Sequence, residues 1–151
     1  MKMRNVLLSS VALVLALPVQ ADTFKLVNRD GRYAEYEGTM VMTGRFERRQ
    51  DAETLDWRGD RVCFFPEAAD VKKLPRVFDS RPPMFCFSNS RSAVTQLQLP
   101  AQPPAGSCGI GGRATVNISR YIVENGVGET YDMAMLNQVS DVTPLTAVPC
   151  K

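Results

Sequence analysis

The chain has 151 residues, with four cysteines, one tryptophan and no histidine, and its eighteen basic side chains nearly balance sixteen acidic ones. That length suits one domain with one core. The missing histidine excludes a Ser-His or Cys-His nucleophile pair and removes the commonest zinc ligand, while the near-neutral charge gives no global field to steer the chain to nucleic acid or anionic membrane.

The first 21 residues, "MKMRNVLLSSVALVLALPVQA", have the three parts of a secretory signal peptide. Lys2 and Arg4 form a positive n-region, residues 6–17 an apolar run broken only by Ser9 and Ser10, and Val19-Gln20-Ala21 a cleavage site after Pro18. Twelve residues reach about 18 Å as a helix, short of the roughly 30 Å hydrocarbon core. Cleavage is expected before Asp22, leaving residues 22–151 as a single domain in the periplasm or outside the cell. No cysteine follows the cut and no second apolar stretch occurs, so no membrane anchor is expected. Losing Lys2 and Arg4 leaves sixteen bases and sixteen acids, a net charge of zero.

In "AEYEGTMVMTGRFERR", residues 34–49, Tyr36, Met40, Met42 and Phe46 alternate with polar positions, as a half-buried strand requires. Gly38 and Gly44 share the inward phase and predict bending where one strand serves two sheets. The polar stretch "RRQDAETLDWRGD" reads as a connection ending in a Gly59-Asp60 turn. "RVCFFPE" is a second strand stopped by Pro66. A longer connection carries Lys72, Lys73, Arg76 and Arg81 to Pro82-Pro83. "MFCFSN" is a third strand. Ser88, Asn89 and Ser90 are N-cap candidates for a short helix holding Ala93, Val94, Leu97 and Leu99. "GGRATVNISRYIVENG" is a long fourth strand with Ala114, Val116, Ile118 and Ile122 in phase. "ETYDMAMLNQVSDV" predicts a fifth strand after the Asn125-Gly126 turn, with a helix over 133–139 as the alternative.

The order strand, strand, strand, short helix, strand, strand over residues 34–142 resembles the OB-fold, a five-stranded Greek-key barrel. The segment "GTMVMTG", residues 38–44, is similar to the G-x-x-V-x-x-G element that opens the first strand in small exported bacterial OB-fold proteins. The fold expected is therefore mostly β, an OB-like barrel with its helix between strands three and four. A small antiparallel sandwich or open roll is the alternative.

An even cysteine count in an exported chain implies two disulfides. If residues 61–66 and 83–88 pair as a centred antiparallel hairpin, Cys63 faces Cys86 at a separation a disulfide can bridge. Val62, Phe64, Phe85 and Phe87 then share the opposite face. Cys108 and Cys150 form the second pair, brought together by the hairpin of strands four and five. The competing reading, a redox pair, needs a lowered thiol pKa in a recognisable setting.

Residues 71–91 hold five bases, Lys72, Lys73, Arg76, Arg81 and Arg91, against Asp79 alone. This bias suits an anionic ligand or an acidic protein face, or a solvated loop paired with Asp51, Glu53, Asp56 and Asp60. Trp57 with Tyr36 and Tyr121 suggests an aromatic platform of the kind OB-folds use for sugars or single strands. "RGD" at 58–60 and the sequon "NIS" at 117–119 carry little weight. Glu35, Glu37, Asp132 and Asp141 are plentiful carboxylates whose spacing shows no convergence. The expectation is an exported, non-enzymatic binding module without cofactor or metal, its partner at the 67–83 loop, Arg91 and Trp57. An inhibitor of a secreted hydrolase, or a hydrolase using carboxylates alone, are the rivals.

Overall fold

The structure, a computed structural model, describes residues 23–76, 81–126 and 130–150. The signal-peptide reading of residues 1–21, with its cut before Asp22, lies outside the described residues, as do positions 77–80 of the basic connection. In chain order the elements are β1 (Lys25–Arg29), β2 (Tyr33–Arg49), α1 (Ala52–Arg58), β3 (Val62–Pro66), α2 (Ala68–Val71), β4 (Phe85–Phe87), α3 (Ser90–Gln96), β5 (Gly109–Glu124), β6 (Asp132–Ser140) and β7 (Thr146–Val148).

The fold is mostly β, and all five predicted strands are present. β2, β3, β4, β6 and β5 follow one another by hydrogen bonding, and β5 returns to β2, so these five form a ring. Every step is antiparallel except β4 to β6, which is parallel. The last long segment is strand β6, not a helix. The element order departs from expectation in three ways. β1 and β7 add two strands outside the ring, on β2 and β5. The polar connection after β2 folds as α1, and a further short helix, α2, interrupts the basic connection.

The alternation of β2 does what its sequence dictates: Met40, Met42 and Phe46 are buried while Val41 and Arg45 are exposed. Gly44 sits where β2 has partners on both sides, Pro66 of β3 and Ala114 of β5. A Cβ there would run into the Phe65 carbonyl and come within 2.8 Å of the Phe64 ring. Gly38 is exposed, not inward. Its φ of 132° falls inside the register shift between Tyr36 and Thr39, a conformation open to glycine.

The core fills the ring. Phe64, Phe85 and Phe87 are wholly buried with ring centroids 5.4–6.2 Å apart, and Tyr121 meets Phe85 edge-on. Burying each such side chain stabilises by about 1.5–3 kcal/mol. α3 docks with Ala93 and Leu97 buried. Asn89 stands at the N-cap of α3 but does not cap it. Its side-chain amide donates to the Leu136 carbonyl (2.8 Å) and its side-chain oxygen accepts from the Leu136 N–H (2.9 Å), fastening α3 to β6.

Cys63 faces Cys86 and Phe64 faces Phe85, the predicted register, and Cys63–Cys86 is a disulfide. Cys108–Cys150 is the second. With all four cysteines paired, the chain belongs to an oxidising, extracytoplasmic environment. Both faces of the β3–β4 hairpin are covered, since Cys63 and Cys86 are as fully buried as the phenylalanines behind them. Among the described residues no helix is long and apolar enough to cross a membrane.

Candidate functional site

A cleft of about 700 Å³ is lined by β2, α1, Phe65 of β3, the segments leading into β4 and β6, Asp132 of β6 and the Cys108–Cys150 disulfide. Arg45, Glu47 and Arg49 reach it because they occupy the outward phase of β2, alternating with Phe46. α1 supplies Thr54, Trp57 and Arg58. This helix forms in a polar sequence because its ends are specified. Asp51 Oδ1 accepts from the Thr54 N–H (3.1 Å) and the Thr54 hydroxyl (2.9 Å), capping the start. At the other end Gly59, at φ 69°, donates its N–H to the Leu55 carbonyl (3.2 Å). Burial alone would raise the Asp51 carboxyl, but Thr54 and Arg49 together hold it down to about 2.

Arg58, in the last turn of α1, is 6% exposed. Its guanidinium lies 5.3 Å from the Trp57 ring centroid and 3.8 Å from Glu47 Oε1. Glu47 Oε2 is taken by Arg45 at 2.6 Å, and Arg45 also stacks over Phe65 at 4.0 Å. Trp57 meets Tyr131 edge-on with centroids 5.6 Å apart. Arg49 Nε donates to Asp51 Oδ2 (2.9 Å). Burial lowers the Arg58 pKa, with Glu47 opposing.

At the ring end of the cleft, Asp132 is 1% exposed. The Tyr121 hydroxyl donates to its Oδ2 (2.7 Å), Arg76 Nε lies 3.1 Å from Oδ2, and Arg81 Nη2 lies 3.4 Å from Oδ1. Arg81 also donates to the Thr130 hydroxyl (2.8 Å). Burial raises the Asp132 carboxyl above its ordinary value, against the pull of Tyr121 and the two guanidiniums. Burial likewise pushes Tyr121 well up, and Asp132 adds to it.

Of the predicted site residues, Trp57, Arg76 and Arg81 are brought together in this cleft. Lys72, Lys73 and Arg91 are not among its lining residues. Lys73 pairs with Asp70 at 2.6 Å, and Lys72, just past α2, and Arg91 on α3 are exposed. Arg76 and Arg81 turn to Asp132, while Asp51 and Asp60 of the acidic stretch are held by Arg49 and Arg48. The aromatic platform does not form, because Tyr121 is a wholly buried core residue. Asp132 alone of the four singled-out carboxylates lines the cleft, and Glu35 pairs with Arg120 at 2.7 Å. The "RGD" tripeptide is structural: Arg58 is buried, and Asp60 receives two hydrogen bonds from Arg48 (2.5 and 2.7 Å).

Arg45, Arg58 and Tyr131 were missed as site residues. For Arg58 the signal was available in the Asp51 cap and Gly59 stop, which define a helix. Among the described residues no His, Cys, Asp and Glu side chains gather in a group of three able to hold a metal ion. Comparison of the chain with protein-family models, curated proteins and solved structures finds no match.

Proposed function

We propose that this chain is an exported, non-enzymatic binding module of OB type, cleaved before Asp22, whose anionic or protein partner docks in the cleft beside the basic connection. The observation that carries the reading is the cleft itself, which gathers guanidiniums around the Trp57–Tyr131 pair in a volume of small-molecule size. The ring order supports the OB part. Numbering ring strands along the chain, the fourth lies beside the first, the Greek-key order 4-1-2-3, and α3 falls between the third and fourth. Three of the four lining carboxylates favour binding over acid-base chemistry, because Glu47, Asp51 and Asp132 are each held by arginine and have little freedom to shuttle protons.

The test is turnover. Purified protein incubated with cell-wall and phosphoester substrates is expected to release no product, and sustained release abolished by Asp132→Asn would overturn the reading. The rival, an inhibitor of a secreted hydrolase, draws on the exposed Pro82-Pro83 segment entering the disulfide-held β4. Inhibition assays against lysozymes and proteases separate it from a small-ligand module.

A further inference from the structure

The charge inventory of the cleft points to a class of ligand, resting on the reading just given that this cleft is where the module binds. Its described lining carries five guanidiniums against four carboxylates, one positive charge in excess. Arg45 and Arg49 each have a carboxylate at hydrogen-bond distance, and Arg76 and Arg81 share Asp132. Arg58 differs. It is more than nine-tenths buried, yet its Nε meets no acceptor among the described residues. Its ion pair with Glu47, at 3.8 Å, is longer than a hydrogen bond, and Glu47 already serves Arg45.

A buried guanidinium short of acceptors is costly, and an acceptor brought in by a ligand relieves that cost. The rigid donor fork of arginine matches a carboxylate bidentately. Beside Arg58 the wall is apolar: Trp57 and Tyr131 pack edge-to-face, with Phe65 and Met84 also lining the space. Among the described lining residues one positive charge is in excess, which suits one negative charge better than two. We infer that the cleft binds a small amphipathic monocarboxylate, with its carboxylate on Arg58 and its apolar body against Trp57 and Tyr131.

Trp57 is the chain's one tryptophan, so intrinsic fluorescence reads this cleft directly. The disulfide-intact protein is titrated with decanoate and 4-phenylbutyrate, their neutral amides, and phenyl phosphate as a dianion. At least one acid is expected to change Trp57 emission saturably and to bind at least about tenfold more tightly than its amide. A response to only one acid also supports the assignment and tells whether the body is alkyl or aromatic. Arg58→Gln should erase the acid-over-amide preference and Arg58→Lys keep part of it. Arg113→Gln, outside the cleft lining, should leave it unchanged. Equal affinity for acid and amide, or a folded Arg58→Gln that keeps the preference, overturns the inference, as does no binding at all. If Arg58→Gln does not fold, the acid-to-amide ratio on the unmodified protein decides alone. Tighter binding of phenyl phosphate than of either acid overturns the monocarboxylate class while leaving anion binding in the cleft standing.

Discussion

Asp132 and Asp51 show how two carboxylates bordering one cleft take opposite electrostatic character. Asp132 is enclosed by the ring, and burial outweighs its partners, so its folded pKa is raised. Ionisation of Asp132 therefore opposes folding, and its contribution to stability grows as pH falls through the folded value. The Tyr121 hydroxyl at 2.7 Å is the short contact that favours the charged form. Tyr121→Phe is expected to destabilise by about 1–3 kcal/mol in urea denaturation at neutral pH, with the deficit shrinking in acid. For Asp51 the sign reverses. Its folded pKa of about 2 lies below the unfolded value of about 3.9, so its stabilisation is complete above pH 4 and lost as pH falls toward 2. Melting temperature measured from pH 5 to pH 2 should fall less steeply in Asp51→Asn than in the unmodified protein.

Among the elements, the clearest dependence on a single side chain is that of α3 on β6. Asn89 matches both backbone groups of Leu136, acting as a short piece of strand. Asn89→Ala leaves both groups without those partners and should cost about 2 kcal/mol. Faster hydrogen exchange at the Leu136 amide in the variant would check it, and unchanged exchange would show that other contacts hold α3. Elements with one buried face were legible in the sequence. The period of two in β2 and β5 and the Cys-Phe twins gave strands, register and a disulfide, because burial imposes alternation. β1 and β7 have no buried position and so carry no pattern. α1 buries only Thr54 and Arg58, both polar, so hydrophobic periodicity passes over it and only its caps reveal it. The cleft was hidden for the same reason. Arg45 and Glu47 read as the solvent side of a strand, and only the position of α1 makes that side a wall.

For the molecule as a whole, the two disulfides differ in what opening them requires. Cys63–Cys86 is wholly buried in the ring wall, whereas Cys150 is exposed near the chain end. Both close loops, of sequence separation 23 and 42, worth about 3–4 kcal/mol each in the entropy model. Mild reductant without denaturant should open Cys108–Cys150 first, with Cys63–Cys86 following only under unfolding conditions. Alkylation and mass spectrometry read the order. Because Cys108 and Cys150 also line the cleft, the first reduction should perturb Trp57-reported ligand binding before the ring itself loosens.

The length of β2 has a kinetic consequence. It pairs with β5 from Arg49 opposite Gly109 to Tyr33 opposite Glu124, partners 60 to 91 residues apart along the chain. None of these pairings forms locally, so closing the ring must first overcome the entropy of a very long loop. The β3–β4 hairpin spans far less chain and can assemble and oxidise while β5 is still unplaced. Refolding of this protein should therefore proceed from an early, cross-linked hairpin to a slow final step in which two distant strands find each other and shut the ring.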